Sequence, residues 1–193
     1  MKKISIILLL IVLNSCALHS KGEEGKSNRN DKNSSHTDES SVKEITEDGI
    51  LVGKTKKKDL LQEPFNEWFE AGFADYQPNS ELINQIKKLN IDYTITIFMG
   101  TWCEDSQNQV PKFYKILKEL NFSEEKTTLI TMLRDKTTPD LFEKGLKITN
   151  VPTFIFFEKG KEVNRIVESP VETLEADILQ ILSKQPYRHT YAE

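Results

Sequence analysis

Residues 100–111 read GTWCEDSQNQVP and hold Cys103, one of two cysteines in a chain of 193 residues. A thiolate is a nucleophile, and a free cysteine ionises near pH ~8.5. Cys103 follows an apolar, β-branched run over residues 93–99 and precedes a stretch with helical spacing. It therefore falls where a strand gives way to a helix, and the unpaired N–H groups of a helix start favour an anion. Trp102 precedes it and offers an apolar shield, while Ser106 follows three residues on. Glu104 and Asp105 set negative charge beside the sulfur, which opposes ionisation while complementing the helix dipole. His19 and His36 lie in a polar N-terminal stretch and His189 near the C-terminus. A cysteine–histidine hydrolase and a protein-built zinc site are thereby disfavoured, and no metal and no cofactor are expected.

The other cysteine sits in a different context. Met1-Lys2-Lys3 is a positive head, and residues 4–13 are an apolar run too short to span a bilayer but suited to a signal-peptide core. Leu13-Asn14-Ser15-Cys16 then resembles a bacterial lipobox, with cleavage before Cys16 and lipidation of its sulfur. Acyl chains add about 0.8 kcal/mol per buried methylene, so two or three anchor a protein stably. The expectation is a lipoprotein of the cell envelope, held at a membrane by that lipid, in which Cys103 alone remains a thiol. Residues 16–47 carry almost no large apolar side chain and read as a disordered tether. Its length would hold the folded part about 30 Å from the anchor.

A net charge of −4 without a basic face gives no reason to expect a nucleic-acid partner. Folding signals begin near Gly49, with a short strand over residues 50–52. The stretch 49–55 is not a phosphate loop, because its glycines are separated by bulky apolar residues at the wrong spacing. Phe65, Trp68, Phe69, Gly72, Phe73 and Tyr76 recur at helical spacing, and a second helix is expected over residues 80–89 with Leu82, Ile86 and Leu89 inward. Residues 48–90 thus form an N-terminal extension. Strands are expected at 93–99, 128–133, 153–157 and 162–167, the last two as a hairpin about Lys159-Gly160. A helix follows Cys103, with Val110, Phe113, Leu117 and Leu120 on one stripe, and a short helix is expected over residues 138–145. Ser169-Pro170-Val171-Glu172 reads as a capping box for a last helix with Leu174, Ile178 and Leu182 inward. Together these give an α/β fold, a mixed sheet flanked by helices, over residues 91–185, with a tail over 186–193.

This order of elements, with Trp102-Cys103 between strand and helix, Pro111 eight residues later, Val151-Pro152-Thr153 and the Lys159-Gly160 turn, resembles the thioredoxin family over roughly residues 91–182. The resemblance implies a thioredoxin-like fold with Cys103 as nucleophile. It implies a cis-proline loop opposite it, where Val151, Pro152 and Thr153 with Trp102 bind an extended substrate. It places Ser106 where the family usually carries its second cysteine, and Ile97 where classical members keep a buried aspartate. Both differences point away from dithiol reduction. Ser106 would then hydrogen-bond a thiolate, as in monothiol relatives. Arg134 at the end of a strand and Glu168 beside the expected peptide groove are candidate site-shaping residues.

Two functions follow. One is thiol–disulfide exchange through Cys103 alone, as a monothiol oxidoreductase or isomerase, with an exported protein or a small thiol or disulfide as partner. The other is a redox-inert module that uses the same groove to recognise an extended peptide or a partner protein.

Overall fold

The computed structural model describes residues 43–89 and 92–192. The expected signal peptide, the lipidation site Cys16 and most of the tether lie outside the described residues. The strands are β1 (Lys43–Ile45), β2 (Leu51–Thr55), β3 (Thr94–Met99), β4 (Thr127–Thr131), β5 (Thr153–Glu158) and β6 (Lys161–Val167). They form one sheet in the order β1-β2-β4-β3-β5-β6. Only β3 and β4 run parallel, and every other pair is antiparallel. The helices are α1 (Asn66–Asp75), α2 (Ser80–Lys88), α3 (Glu104–Glu119) and α4 (Leu174–Leu182).

The alternation of the central strands explains the layering. Side chains of successive strand residues point to opposite faces. Ile95, Ile97 and Met99 of β3, Leu129 of β4, and Phe154 and Phe156 of β5 join one core with Phe69, Ile83, Ile86, Phe113, Ile116 and Ile178 of the four helices. Phe98, Ile130 and Ile155 face the other way and pack with Met132, Val151, Phe142, Leu146 and Ile148. The helices therefore share one face, and residues from the β4–β5 connection cover the other. Phe113 stacks on Phe154 with ring centroids 4.2 Å apart, locking α3 to the centre of the sheet.

Four details differ from expectation. Lys43–Ile45 belongs to the sheet as its edge strand, although its polar composition reads as tether. Backbone pairing suffices at an edge, where charged side chains face solvent. In α2 the buried pair is Ile83 and Ile86, with Leu82 and Leu89 at the margin. No α-helix forms over residues 138–145. Leu141, Gly145 and Lys147 have φ of 55°, 81° and 51°, outside the right-handed helical region. The segment is instead a series of tight turns, closed by bonds such as Leu141 N–H to Thr138 O (3.1 Å) and Lys144 N–H to Leu141 O (3.0 Å). Finally, α4 starts at Leu174, capped by Thr173, whose hydroxyl accepts from Ala176 N–H, so the box at Ser169 is not used. The carboxylate of the buried Asp177 takes the N–H groups of Val171 (2.7 Å) and Glu172 (3.2 Å) and holds that segment as a loop.

Candidate functional site

The parallel β3 delivers the chain to a tight turn at Gly100-Thr101, and α3 begins immediately afterwards. Cys103 is the N-cap of α3, with an extended backbone (φ −98°, ψ 123°). It is half-buried and makes no disulfide. The Val151–Pro152 peptide bond is cis and brings Val151 opposite the thiol, so that Cys103 Sγ lies 3.2 Å from Val151 O and donates to it. Val151 N–H has no hydrogen-bond partner among the described residues. The carbonyl of Val151 thus lies beside a half-exposed sulfur, where an extended peptide backbone can pair with the loop.

Trp102 lies beside the thiol in the same apolar cluster. Its indole N–H donates to Met132 O (2.9 Å), and the Arg134 guanidinium sits 5.4 Å from its ring centroid. The ring also rests on Gly100, where a Cβ would fall 2.5 Å from Trp102 Cε2. Only glycine permits this contact. Arg134 is exposed and engages the tryptophan face rather than the sulfur. Its charge, with the hydroxyl of Thr46 first, also holds the Asp48 carboxyl below its usual range.

Ser106 is fully buried, and its oxygen accepts from Gly100 N–H (3.2 Å). Ser106 and Cys103 are not hydrogen-bonded to each other. The expected donation to the sulfur is therefore replaced by a brace across the turn that carries Trp102 and Cys103. Glu104 is exposed and Asp105 half-exposed in the first turn of α3, where both complement the helix dipole. Pro111 lies inside α3 against Gly72 of α1, where a Cβ would come within 3.1 Å of the proline ring.

Pro152 and Thr153 are buried. Thr153 O–H donates to Asn150 O (2.6 Å), which ties the cis-proline loop to the start of β5. Glu168 borders the same loop. Its backbone N–H donates to Pro152 O (2.7 Å), and its φ of 64° lies in the left-handed region that favours glycine. Its carboxylate accepts from Asn150 Nδ2 (3.3 Å) and from the Tyr191 hydroxyl of the C-terminal tail.

Four site residues escape the local sequence pattern. Thr101 is buried, and its hydroxyl accepts from Leu51 N–H (3.2 Å), fastening β2 to the site turn. Gln107 Nε2 donates to Thr101 O (2.7 Å). Asn150 and Tyr191 orient Glu168 from opposite sides of the chain. Apart from that of Gln107, these contacts join segments distant in sequence, and no local pattern announces them. No group of three or more His, Cys, Asp or Glu side chains among the described residues is placed to hold a metal ion.

A mixed sheet with one parallel pair, a cysteine capping the following helix and a cis-proline loop opposite it define a thioredoxin-like α/β protein. The chain belongs to the thioredoxin family, whose model, described as Thioredoxin, matches residues 56–179. That match includes α1 and α2, which reach beyond the part whose resemblance is legible in the motifs. Glutaredoxin 3 from Danio rerio is 28% identical over 96 residues, 50% of this chain and 28% of that protein. The chain thus spans little more than a quarter of that relative's length. A protein of unknown function from Pseudomonas aeruginosa is 15% identical, with a TM-score of 0.44 over 62% of this chain and 81% of that one. A thioredoxin from Fasciola hepatica is 20% identical, with a TM-score of 0.35 over 55% of this chain and 93% of that one.

Proposed function

We propose that this protein carries out thiol–disulfide exchange through the single thiol Cys103, working from a lipid anchor at Cys16 in a bacterial cell envelope. The family supports redox chemistry at large. The observation that carries the finer reading is the seat of Cys103, half-exposed at the start of α3 and 3.2 Å from Val151 O. An incoming disulfide pairs its backbone with Val151 and lies against Trp102. The Cys103 thiolate attacks one sulfur of the disulfide, forming a mixed disulfide, and the other sulfur leaves as a thiolate that takes up a proton. Ser106 cannot attack the mixed disulfide. Release therefore uses a thiol from the substrate, a small molecule or a partner protein, which takes over the bound sulfur and returns Cys103 reduced. The Leu13-Asn14-Ser15-Cys16 stretch supports the anchor and the exported location.

The test is the rate at which Cys103 forms a mixed disulfide with a small peptide disulfide, followed by intact mass in the folded chain and in denaturant. Exchange predicts a faster reaction in the folded chain, abolished in Cys103→Ser. A folded thiol that reacts no faster than the unfolded one overturns the proposal.

A second reading is a recognition module that uses the Val151 groove without exchange. The donation of the Cys103 thiol to Val151 O favours it, because that bond rests on the protonated sulfur. It predicts a partner that binds Cys103→Ser as well as the unsubstituted chain.

A further inference from the structure

The C-terminal half of α3 carries a second feature that the thiol site does not use. Lys57, Lys115 and Lys118 surround the ring of Phe73, with their ammonium nitrogens 5.3, 5.2 and 5.7 Å from its centroid. Lys57 also lies 5.8 Å from the Tyr114 ring. Three like charges gathered at one ring repel each other, and each cation–π contact returns only about 0.5–1 kcal/mol where the lysine still meets solvent. One carboxylate reaches them, Glu124, at 3.2 Å from Lys57 Nζ, and its side chain is 72% exposed. Lys115 and Lys118 have no carboxylate partner among the described residues. This happens in a chain whose net charge is −4, so the concentration of unpaired cations is local.

A cleft of about 310 Å³ opens beside them. Lys57 and Lys118 belong to its lining, together with the apolar surfaces of Tyr114, Leu117 and Phe122. Asn121, Glu124 and Thr127 complete the lining, so one carboxylate stands among the lysines. Cations and apolar walls converge on one concave site, the combination by which pockets hold small molecules.

We infer that this cleft binds an amphiphilic anion, with an anionic head at Lys57, Lys115 and Lys118 and an apolar body against Leu117 and Phe122. A medium-chain carboxylate has that chemistry. A bare inorganic anion leaves the apolar walls uncovered. A flat lipid surface does not enter a cleft that reaches Thr127. Such a ligand competes with Glu124 for Lys57. The 16 residues of α3 place the cleft roughly 20 Å from Cys103, so binding is independent of the thiol.

Decanoate, below its micelle concentration, is the probe, titrated into the isotopically labelled full chain while the amide shifts of Leu117, Asn121 and Phe122 are followed at constant ionic strength. The expected result is saturation with a Kd of roughly 0.1–1 mM, in keeping with the modest affinity per atom of small ligands. Affinity should fall at least about fivefold in Lys115→Gln/Lys118→Gln, two substitutions on the helix surface that leave the core intact, and stay unchanged in Cys103→Ser. Equal shifts with inorganic phosphate would reduce the cluster to a nonspecific anion patch and overturn the inference. So would binding that ignores the two lysine substitutions. Capture by phosphatidylglycerol vesicles without saturable decanoate shifts would make the patch a membrane contact and overturn it as well.

Discussion

Replacing Ser106 by alanine separates two roles for the residue that stands in place of a second cysteine. The Ser106 oxygen is the acceptor for Gly100 N–H at 3.2 Å, and both residues are buried. Ser106→Ala leaves that N–H without a partner in a site closed to water. The cost of an unsatisfied buried donor is about 1–3 kcal/mol, and a central value of about 2 is reasonable for a backbone amide. For an ordered region of this size, 1 kcal/mol shifts Tm by about 2–4 °C, so the variant should melt about 4–8 °C lower. Thermal unfolding by circular dichroism reads this directly. The same variant should keep most of its Cys103 alkylation rate, because the two side chains are not bonded to each other. A Tm within about 1 °C of the unsubstituted protein, together with a clear fall in alkylation rate, would refute the reasoning. It would show Ser106 acting on the sulfur instead of bracing the turn.

Gly100→Ala drives a Cβ to 2.5 Å from Trp102 Cε2 and must displace the indole from Met132 O, so stability should drop by about 2 kcal/mol and tryptophan fluorescence should shift toward that of exposed indole. Asp177→Asn removes a buried carboxylate that accepts from Val171 N–H, Glu172 N–H and the Tyr187 hydroxyl, and should cost about 2–3 kcal/mol by chemical denaturation. Burial, with the nearby Arg165 charge, lowers the pKa of His189 below its ordinary 6.5. Its neutral form is favoured on folding, so its contribution is complete above pH 6.5 and lost as pH falls through the lowered value; His189→Gln should flatten that part of the stability profile. At the other end, burial pushes Tyr93 from 10.0 up to about 12, so its contribution is complete below pH 10.0 and lost as pH rises through about 12, which denaturant titrations across that interval would register.

The parts of this fold that were legible in the sequence are those whose physics is local. The run TITIFM forms β3 because β-branched and aromatic residues alternate between two buried faces, and the stripe through Val110, Phe113 and Leu117 forms α3 because it repeats at helical spacing. The Lys159-Gly160 turn is legible too, since both residues adopt positive φ, 52° and 75°, as a tight hairpin requires. The segment 138–145 fails because its fate depends on Leu141 entering the left-handed region, which nothing about leucine foretells. The box at Ser169 fails because Asp177, a turn further on, takes the N–H groups that the helix would have organised. At the site, the types of Trp102, Cys103 and Val151 are informative by themselves. The direction of the Ser106 hydroxyl is not, because its partner is chosen by the turn at Gly100.

The extension and the tail shape the site as well as covering the core. On one side, Leu51 N–H holds the Thr101 hydroxyl, and the turn before it brings Asp48 near enough for Arg134 to act on its carboxyl while Arg134 lies over Trp102. On the other, Tyr191 of the tail binds the Glu168 carboxylate, and Glu168 holds Pro152 O through its backbone. The loop that presents Cys103 and the loop that faces it are therefore each fastened by chain that the resemblance alone does not cover. Thr101→Val, which keeps shape but loses the acceptor for Leu51 N–H, should loosen the Trp102 turn at a cost of about 1–2 kcal/mol. Hydrogen exchange at Leu51 and Trp102 would speed up together if the two segments are coupled, and acceleration at Leu51 alone would show that β2 and the site turn move independently.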